Sequence, residues 1–469
     1  MVALPSDSLS PSPEPHALAN GHLNGNGVHK SDEASWGFAT RAVHVGSEPS
    51  TETGAVIPPI SLSTTFKQDG VGNHKGFEYT RSQNPSRAAL EAMLASIEMG
   101  GANALAFASG SAATATMIQS LGPDAHLIAV NDVYGGTWRY MMRVAKELTG
   151  LSVGWVNPEG SAEEVRAALR PNTKLIWLES PTNPLLLLPS LPEISALLTE
   201  IYSQPAEVIA SLNYPPTRPL VLVDNTFLSP YYASPLLPIQ NPDGTTLPGA
   251  DVVIHSLTKY INGHSDVLLG AIILPPFSPL LSKITFLQNA HGAVPSAFDC
   301  YLAQRGAKTL QLRMQAAGTS ALLLAKKLQA HPAVESVIYP GLATHPRHAV
   351  AWRSLSPHAR RWIQKSLPGV GEDGAGDFPY SGIVSVRLRN EAQALRFLEE
   401  LRVFTLAESL GGVESLAEHP ATMTHSSIPE AEREERGITG GLVRMSVGVE
   451  DAEDLLRDAL RALEIASTV

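Results

Sequence analysis

Five short apolar runs separated by helical stretches constrain the fold of this chain more than any other feature. They are residues 105–108, 127–130, 175–178, 220–223 and 252–254. Strands that are apolar on both faces and alternate with helices are typical of a mostly parallel sheet with helices on both sides. Ligands bind at the carboxyl ends of such strands, so the residues that follow each run are where we expect function to lie.

A lysine follows the last of these runs. Residues 256–265 read SLTKYINGHS and place Lys259 beside the hydroxyls of Ser256 and Thr258. A lysine at the edge of a buried strand loses its proton more easily than one in water, and the neutral amine can form an imine with an aldehyde. The hydroxyls suit a phosphate. The segment fits pyridoxal phosphate (PLP), and it fits a surface lysine at a strand end equally well.

The run 105–108 leads into a small-residue turn, Ser109-Gly110-Ser111, at the start of a predicted helix. Small residues let the backbone approach a ligand, and the amides and dipole of a helix start attract an anion. The spaced glycines and Gly-Lys ending of a P-loop are absent. The turn is a candidate phosphate site, and a plain strand-to-helix connection is the alternative.

Two further strand ends carry polar side chains. Asp224 ends the run 220–223, and Asn183 lies in a proline-bounded turn after the run 175–178. PLP requires a carboxylate against its pyridine nitrogen, because the protonated ring draws electrons from the reacting carbons. An aspartate in this position also commonly caps a turn. Three strand ends therefore present an amide, a carboxylate and an amine in chain order.

Composition excludes several classes of protein. The 469 residues carry a formal net charge of -11 and have no cluster of Lys and Arg, which argues against a nucleic-acid partner. No apolar run is long enough to span a bilayer. Cys300 is the single cysteine, so there is no CxxC metal or redox motif. His255 and His264 are nine apart without metal-ligand spacing, and we expect no metal.

Residues 1–35 are rich in Ser, Pro, Asn and Gly, and we expect them to form a disordered tail. The tail has no arginine and carries several acids, unlike a mitochondrial transit peptide, and it lacks a secretory apolar region. We therefore expect a cytoplasmic location. A partner-binding role for the tail is the alternative.

Ten segments in order resemble the Cys/Met-metabolism family of PLP-dependent enzymes, of fold type I. The resemblance covers nearly everything after Trp36 and implies a large α/β domain with a mostly parallel seven-stranded sheet, plus a smaller C-terminal α/β domain. We place these domains at 102–305 and 306–469, after an arm at 36–101 that contributes to the neighbouring subunit's site. The segments are FATRAVHVG (38–46), PPISLSTTFKQ (58–68), FEYTRSQNPSR (77–87), DVYGGTWRY (132–140), ESPTNP (179–184), VDNTFLSP (223–230), HSLTKYINGHSDVLLG (255–270), FTLAESLGGVESL (404–416), MTH (423–425) and LVRMSVGVED (442–451).

The resemblance also implies roles for the matching residues. Lys259 is the residue that holds the cofactor covalently and then moves protons, and Ser409 helps to orient it. Tyr134 stacks on the ring and assists proton transfer. The remaining cofactor contacts are Asp224 to the ring nitrogen, Asn183 to the ring oxygen or substrate, and Gly110, Ser111, Ser256 and Thr258 to the phosphate.

Arg444 lies in an alternating pattern, with Val443 and Met445 on the opposite face of a predicted strand. An arginine in so apolar a strand needs a partner. The resemblance assigns it the α-carboxylate of the substrate, which a guanidinium binds through two parallel hydrogen bonds. A structural salt bridge is the alternative.

Tyr79 and Arg81 have an implied role in assembly. In the resembling enzymes this segment reaches the cofactor phosphate of a neighbouring subunit, and Arg81 also comes near the substrate. The implied assembly is a homotetramer built as a dimer of dimers. A surface arginine beside Asn84 would look no different in the sequence.

Within the family, the likeness is greatest to enzymes that eliminate the γ-substituent of L-cystathionine, giving L-cysteine, 2-oxobutanoate and ammonia. Glu408 is the expected contact for the distal ammonium group. Arg139 is a second substrate contact, with a salt bridge on a helix surface as the alternative. Cystathionine γ-synthase-type γ-replacement is the competing reaction, and an inactive PLP-fold binding protein is the competing class. Residues 367–379, rich in Pro, Gly and Asp, look like a surface insertion.

Overall fold

The computed structural model describes residues 35–241, 243–426 and 428–468, so all but Ser35 of the predicted tail lies outside the described residues. The strands in chain order are β1 Gln68–Gly70, β2 Asn73–His74, β3 Asn103–Phe107, β4 His126–Val130, β5 Ser152–Val156, β6 Thr173–Glu179, β7 Leu220–Asp224, β8 Ile239–Gln240, β9 Thr246–Leu247, β10 Val252–Ser256, β11 Gly270–Leu274, β12 Val334–Ile338, β13 Ile383–Leu388, β14 Thr405–Leu406, β15 Leu416–Glu418 and β16 Leu442–Ser446.

Helices alternate with these strands along most of the chain. They are α1 Phe38–His44, α2 Pro85–Ile97, α3 Gly110–Gln119, α4 Gly135–Tyr140, α5 Glu147–Thr149, α6 Ala162–Ala168, α7 Leu191–Tyr202, α8 Ala206–Ser211, α9 Ser229–Tyr232, α10 Leu280–His291, α11 Ala297–Ala307, α12 Leu310–Gln329, α13 His348–Ser354, α14 Pro357–Ser366, α15 Glu391–Glu400, α16 Glu430–Glu435 and α17 Ala452–Ala466. A π-helical segment, Met141–Lys146, joins α4 to α5.

The first large sheet has the strand order β3-β11-β10-β7-β6-β4-β5. Only β11 runs antiparallel to its neighbours, so the prediction of a mostly parallel seven-stranded sheet is confirmed. All five apolar runs lie in it or end beside it. The sequence did not reveal β5, whose residues are mostly half-buried, or β11, which is fully buried.

Local sequence explains where α2 begins and ends. Asn84 caps it by accepting hydrogen bonds from the amides of Ser86 and Arg87, and proline occupies the first helical position. Gly100, with a φ of 88°, follows its last turn and adopts a backbone conformation that other residues avoid. Apolar residues recur at helical spacing in 86–99 and predict a helix there, and the structure has this helix with its ends shifted by one to two residues.

A second sheet has the order β12-β13-β16-β15-β14 and forms the smaller α/β unit that was predicted. The helices α12 and α15 pack on it, and α17 packs against both of these helices. One continuous hydrophobic core contains buried residues of both sheets. Within the part of the chain that the structure describes, every helix is too short or too polar to cross a bilayer.

Candidate active site

A cavity of about 230 Å³ lies where the carboxyl ends of β6, β7 and β10 meet the start of α3. The second sheet lines its other side, through β16 and the loop after β14. The structure therefore brings strand ends of both sheets to one site. The predicted residues that line the cavity are Gly110, Ser111, Tyr134, Asn183, Asp224, Ser256, Thr258, Lys259, Glu408, Ser409 and Arg444.

Lys259 lies in the turn after β10 and is partly buried. Its Nζ donates a hydrogen bond of 2.6 Å to Oγ of Ser409. Burial lowers the pKa of Lys259 to about 8, and the positive charge of Arg444 acts in the same direction, while Glu418 and Glu408 oppose it. A substantial fraction of the side chain is therefore neutral near physiological pH, as imine formation requires.

Two carboxylates end adjacent strands at the base of the cavity. Asp224 of β7 is paired in register with Glu179 of β6. Burial raises the pKa of both side chains, and the negative charge of Asp224 raises the pKa of Glu179 further. Thr226 donates to Oδ1 of Asp224 from its amide at 3.1 Å and from its hydroxyl at 2.6 Å. A carboxylate has more than two acceptor positions, so Asp224 can also receive a proton donor from the cavity.

The start of α3 forms a narrow cradle against the end of β10. Ser109 caps the helix by accepting a hydrogen bond from the Ala112 amide at 3.0 Å. Gly110 and Ser111 belong to the first turn, whose N–H groups have no partner within the helix. A Cβ on Gly110 would lie only 3.3 Å from Cβ of Ser256. The missing side chain thus leaves room for an anion against the helix amides.

Thr258 lines the same end of the cavity, but its hydroxyl is already engaged. It donates to the carbonyl oxygen of Leu269 at 3.3 Å and accepts from the Leu269 amide at 3.1 Å. A hydrogen bond from this hydroxyl to a phosphate would therefore have to replace the one to the Leu269 carbonyl.

Tyr134 stands at the cavity wall immediately before α4 and is 45% exposed. Its amide donates to Oε2 of Glu179 at 2.9 Å, which ties the start of α4 to the end of β6. A Cβ on Gly136 would clash with the tyrosine ring. Burial and the charge of Glu408 raise the pKa of Tyr134, so the phenol is protonated and can donate.

Arg444 of β16 is 2% exposed and is held from three directions. Nη1 donates to Oδ1 of Asn183 at 2.9 Å and lies 3.0 Å from Oε1 of Glu418, while Nη2 donates to the Ser409 carbonyl at 2.6 Å. Nε is buried and has no partner among the described residues. A guanidinium has five N–H donors, so donors remain for a further acceptor. Arg444 takes part in a buried salt bridge and is also available to the cavity.

Three predicted site residues lie outside the lining of this chain's cavity. Arg81 donates from Nε to Oδ1 of Asn289 at 3.1 Å, and its guanidinium stands 5.4 Å from the ring centre of Tyr79. Both side chains are exposed. Arg139 is exposed on α4. Its positive charge lowers the pKa of Tyr134, but by less than burial raises it.

Sequence reasoning gave no role to several residues that line or support the cavity, among them Glu179, His255, Glu418 and Thr424. His255 is paired with Glu98 at 2.8 Å. Among the described residues, no three His, Cys, Asp or Glu side chains are grouped so as to hold a metal. Glu179 was visible in the ESPTNP segment, but Glu418 follows two apolar residues and gave no signal of its own.

The side chains present fit pyridoxal 5′-phosphate. An amine of lowered pKa, a buried carboxylate and a helix start with a glycine cradle are the groups that an aldehyde, a pyridine nitrogen and a phosphate require. All three lie on the wall of one cavity. Arg444 also lines the cavity and has an Nε without a partner among the described residues, so the site contains a guanidinium that suits a carboxylate.

Known proteins resemble the chain along nearly its full length. A family model described as Cys/Met metabolism PLP-dependent enzyme matches residues 39–360 and 377–464. The interval between the two matches overlaps the stretch predicted as an insertion. Cystathionine gamma-lyase of Sus scrofa is 44% identical over 431 residues, which are 92% of this chain and 94% of that protein.

Solved structures share the fold. A crystal structure of cystathionine gamma-lyase from yeast has a TM-score of 0.77 and 42% identity, covering 92% of this chain and 99% of that chain. Cystathionine gamma synthase from Xanthomonas oryzae pv. oryzae, in complex with cystathionine, has a TM-score of 0.76 and 37% identity, again covering 92% and 99%.

Proposed function

The chain belongs to the family of Cys/Met metabolism PLP-dependent enzymes, and from that premise we propose that it is a carbon–sulfur lyase acting on L-cystathionine. One water is consumed, and L-cysteine, 2-oxobutanoate and ammonia are released. This is the γ-elimination of reverse trans-sulfuration, a route to cysteine. Pyridoxal 5′-phosphate is the cofactor.

The observation that carries the proposal is the meeting of Lys259, Asp224 and Arg444 in one cavity. They come from β7, the turn after β10, and β16 of the second sheet, so their convergence is a property of the fold rather than of one motif. An amine and a carboxylate serve an aldehyde cofactor, and a guanidinium serves an amino-acid carboxylate.

When bound, pyridoxal 5′-phosphate supplies an aldehyde for the substrate amine and a ring that withdraws electrons from neighbouring carbons. Asp224 would keep the ring nitrogen protonated. Lys259 would take the proton from Cα, release it to C4′ of the cofactor and then, neutral again, take one from Cβ, with its Nζ aimed by the Ser409 hydroxyl. Tyr134, whose phenol is protonated, would stack on the ring and donate a proton to the departing sulfur. Gly110, Ser111, Ser256 and Thr258 would bind the phosphate.

The same cavity would orient the substrate from both ends. The remaining donors of Arg444 would bind the α-carboxylate, and Asn183 would contact the cofactor or the substrate while it braces Arg444. Glu408 is exposed where the loop after β14 lines the cavity, and there it would receive the distal ammonium of cystathionine. Arg139 would be a second contact for this outer part of the substrate.

A direct assay tests the reaction. Purified holoenzyme incubated with L-cystathionine should release 2-oxobutanoate and cysteine in equal amounts. The competing γ-replacement has a specific observation in its favour, since a cystathionine gamma synthase shares the fold at 37% identity. No 2-oxobutanoate from cystathionine, together with cystathionine made from cysteine and an activated homoserine ester, would select that reaction instead.

A second measurement separates an enzyme from an inactive binding protein of the same fold. The purified chain should show the visible absorption of a covalently held cofactor, and Lys259→Ala should abolish it. Turnover of cystathionine without a covalent lysine, or an unchanged band in the variant, would contradict the role of Lys259.

We also propose a homotetramer built from dimers, in which Tyr79 and Arg81 serve the phosphate and substrate of the partner's cavity. The support is that both side chains are exposed and outside the cavity of their own chain. We place the arm at 36–101, the cofactor domain at 102–305 and the C-terminal domain at 306–469, and we propose a cytoplasmic location. Gel filtration with light scattering tests the assembly.

A further inference from the structure

Glu418 and Arg444 face each other across the antiparallel strands β15 and β16. Oε1 of Glu418 lies 3.0 Å from Nη1 of Arg444, and both side chains are almost fully buried, at 1% and 2% exposed. Oε1 also accepts a hydrogen bond from the hydroxyl of Thr424 at 2.7 Å. Thr424 itself lines the cavity. The carboxylate is thus fixed from two sides at the cavity wall.

The pair is poorly explained as a source of stability. Desolvation of two buried charges offsets most of their attraction, and an apolar pair of similar volume is often as stable. Oε2 of Glu418 and Nε of Arg444, moreover, have no partners among the described residues. The pair is better explained by geometry, because it fixes the direction in which the guanidinium of Arg444 points.

The contacts of Arg444 show which direction is fixed. Nη1 donates to Asn183 and forms an ion pair with Glu418, so two neighbours hold that end of the guanidinium, while Nη2 donates to the Ser409 carbonyl. Nε has no partner among the described residues, and Nη2 has a second N–H. A bidentate carboxylate needs two neighbouring donors held in one plane, and a rotation of the guanidinium would lose one of them.

We propose that Glu418 is a positioning residue that orients Arg444 toward the α-carboxylate of an amino-acid substrate. The inference rests on the proposed function of Arg444 as that clamp. Glu418 does not touch the substrate in this proposal. It acts by holding Nη1, so that the opposite edge of the guanidinium meets the ligand.

Two variants separate geometry from charge. Glu418→Asp keeps the charge but withdraws the carboxylate by one C–C bond, about 1.5 Å. Glu418→Gln loses the charge but keeps the length and one acceptor oxygen. If Glu418 positions Arg444, the aspartate variant should bind carboxylate ligands more weakly than the glutamine variant does. If Glu418 only balances the charge of Arg444, the order should be reversed.

The probes are L-norvaline, which lacks a γ-leaving group, and n-butylamine, the same molecule without its carboxylate. Binding to the holoenzyme is followed by the change in visible absorption, so no turnover is needed. The dissociation constant of n-butylamine divided by that of norvaline measures how strongly the site recognises the carboxylate. We expect Glu418→Asp to reduce this ratio by about tenfold or more, as loss of a charge-assisted hydrogen bond predicts, and Glu418→Gln to stay within about threefold.

Asp458→Asn is the matched control. Asp458 is also buried beside an arginine, with Arg461 at 2.9 Å, but it lies outside the cavity lining. Its variant should lower the melting temperature and leave the ratio unchanged. If Glu418→Asp does not accumulate as folded protein, Thr424→Val removes the second support of Oε1 and should reduce the ratio in the same direction.

The proposal would be overturned if Glu418→Asp weakened the binding of both probes equally. It would also be overturned if neither Glu418→Asp nor Thr424→Val changed the binding of norvaline. A wild-type protein that binds norvaline in preference to butylamine but makes no 2-oxobutanoate would refute the proposed reaction alone. The effect of Glu418 could still be read from the titrations.

Discussion

Nζ of Lys259 donates a 2.6 Å hydrogen bond to the hydroxyl of Ser409, and the backbone of that serine has a φ of 92°. This region of φ is unfavourable for any residue with a Cβ. The carbonyl of the same serine accepts from Nη2 of Arg444. One strained residue therefore joins the proposed base to the proposed substrate clamp, and strain of this kind persists where the surrounding structure holds it in place.

Ser409→Ala should lower kcat/KM for cystathionine by about 10- to 100-fold, the equivalent of one hydrogen bond to a charged group. Lys259 would keep its place in the turn but lose the acceptor that aims Nζ. The melting temperature should change little, because alanine is as strained as serine at this φ. Steady-state kinetics and thermal denaturation check both parts.

Ser409→Gly provides the matched control. It loses the same hydroxyl but relieves the backbone strain, so it should be as slow as the alanine variant and more stable by about 1 kcal/mol. Full activity in either variant would show that the contact between Lys259 and Ser409 is not required.

The pH dependence of cofactor capture reports the pKa of Lys259, which burial lowers to about 8. Below that pH the apoenzyme carries an ammonium group, and above it a neutral amine. The rate at which apoenzyme takes up pyridoxal 5′-phosphate should therefore rise with pH and level off above about 8, well below the ordinary lysine pKa of about 10.4. Stopped-flow absorbance measures the rate.

Charge variants should move this midpoint in opposite directions. Arg444 lowers the pKa of Lys259, so Arg444→Leu should shift the midpoint upward. Glu418 raises that pKa, so Glu418→Gln should shift it downward. A midpoint near the ordinary lysine value in the unmodified protein would mean that Lys259 is not desolvated in solution.

Mixed subunits test whether Arg81 acts across an interface, since it lies outside the cavity of its own chain. Arg81→Ala and Lys259→Ala should each be nearly inactive alone. In a hybrid dimer, the intact Lys259 of one subunit would meet the intact Arg81 of the other. Co-expression in equal amounts should therefore restore about one quarter of the wild-type activity by random pairing.

The control for this experiment is co-expression of the double variant with Lys259→Ala, which leaves no subunit with an active lysine and should stay inactive. Absence of recovery in the hybrid, with mixed dimers demonstrated by affinity tags, would assign Arg81 to its own subunit or to the surface.

The sequence predicted the parts of the fold and site that depend on local pattern. Apolar runs revealed five strands, and the turns after them revealed Lys259, Asp224 and the helix start at Gly110. The edge strand β5 escaped because half-buried residues form no apolar run. The segment 255–270, which resembles the family, ends at the first residue of β11 and leaves out the rest of that strand. No local sequence pattern indicates that β11 runs antiparallel to its neighbours.

Glu418 could not be predicted for a different reason. Arg444 was recognised as a buried arginine in need of a partner, but its partner lies on another strand, and only the register of β15 with β16 brings the two together. Glu179 was likewise visible as a residue but not as a contact of the Tyr134 amide. Pairs separated by long stretches of chain are set by tertiary packing, which a single sequence does not reveal.

Glu408 offers a test of substrate selection. It is exposed at the cavity, and its charge raises the pKa of both Tyr134 and Lys259. Glu408→Gln should raise KM for L-cystathionine by about fivefold, since an exposed ion pair contributes at most about 1 kcal/mol. L-homoserine has a γ-substituent but no distal ammonium, so its KM should stay unchanged when 2-oxobutanoate release is assayed. An equal rise in KM for both substrates would assign Glu408 to the shape of the loop rather than to the distal ammonium.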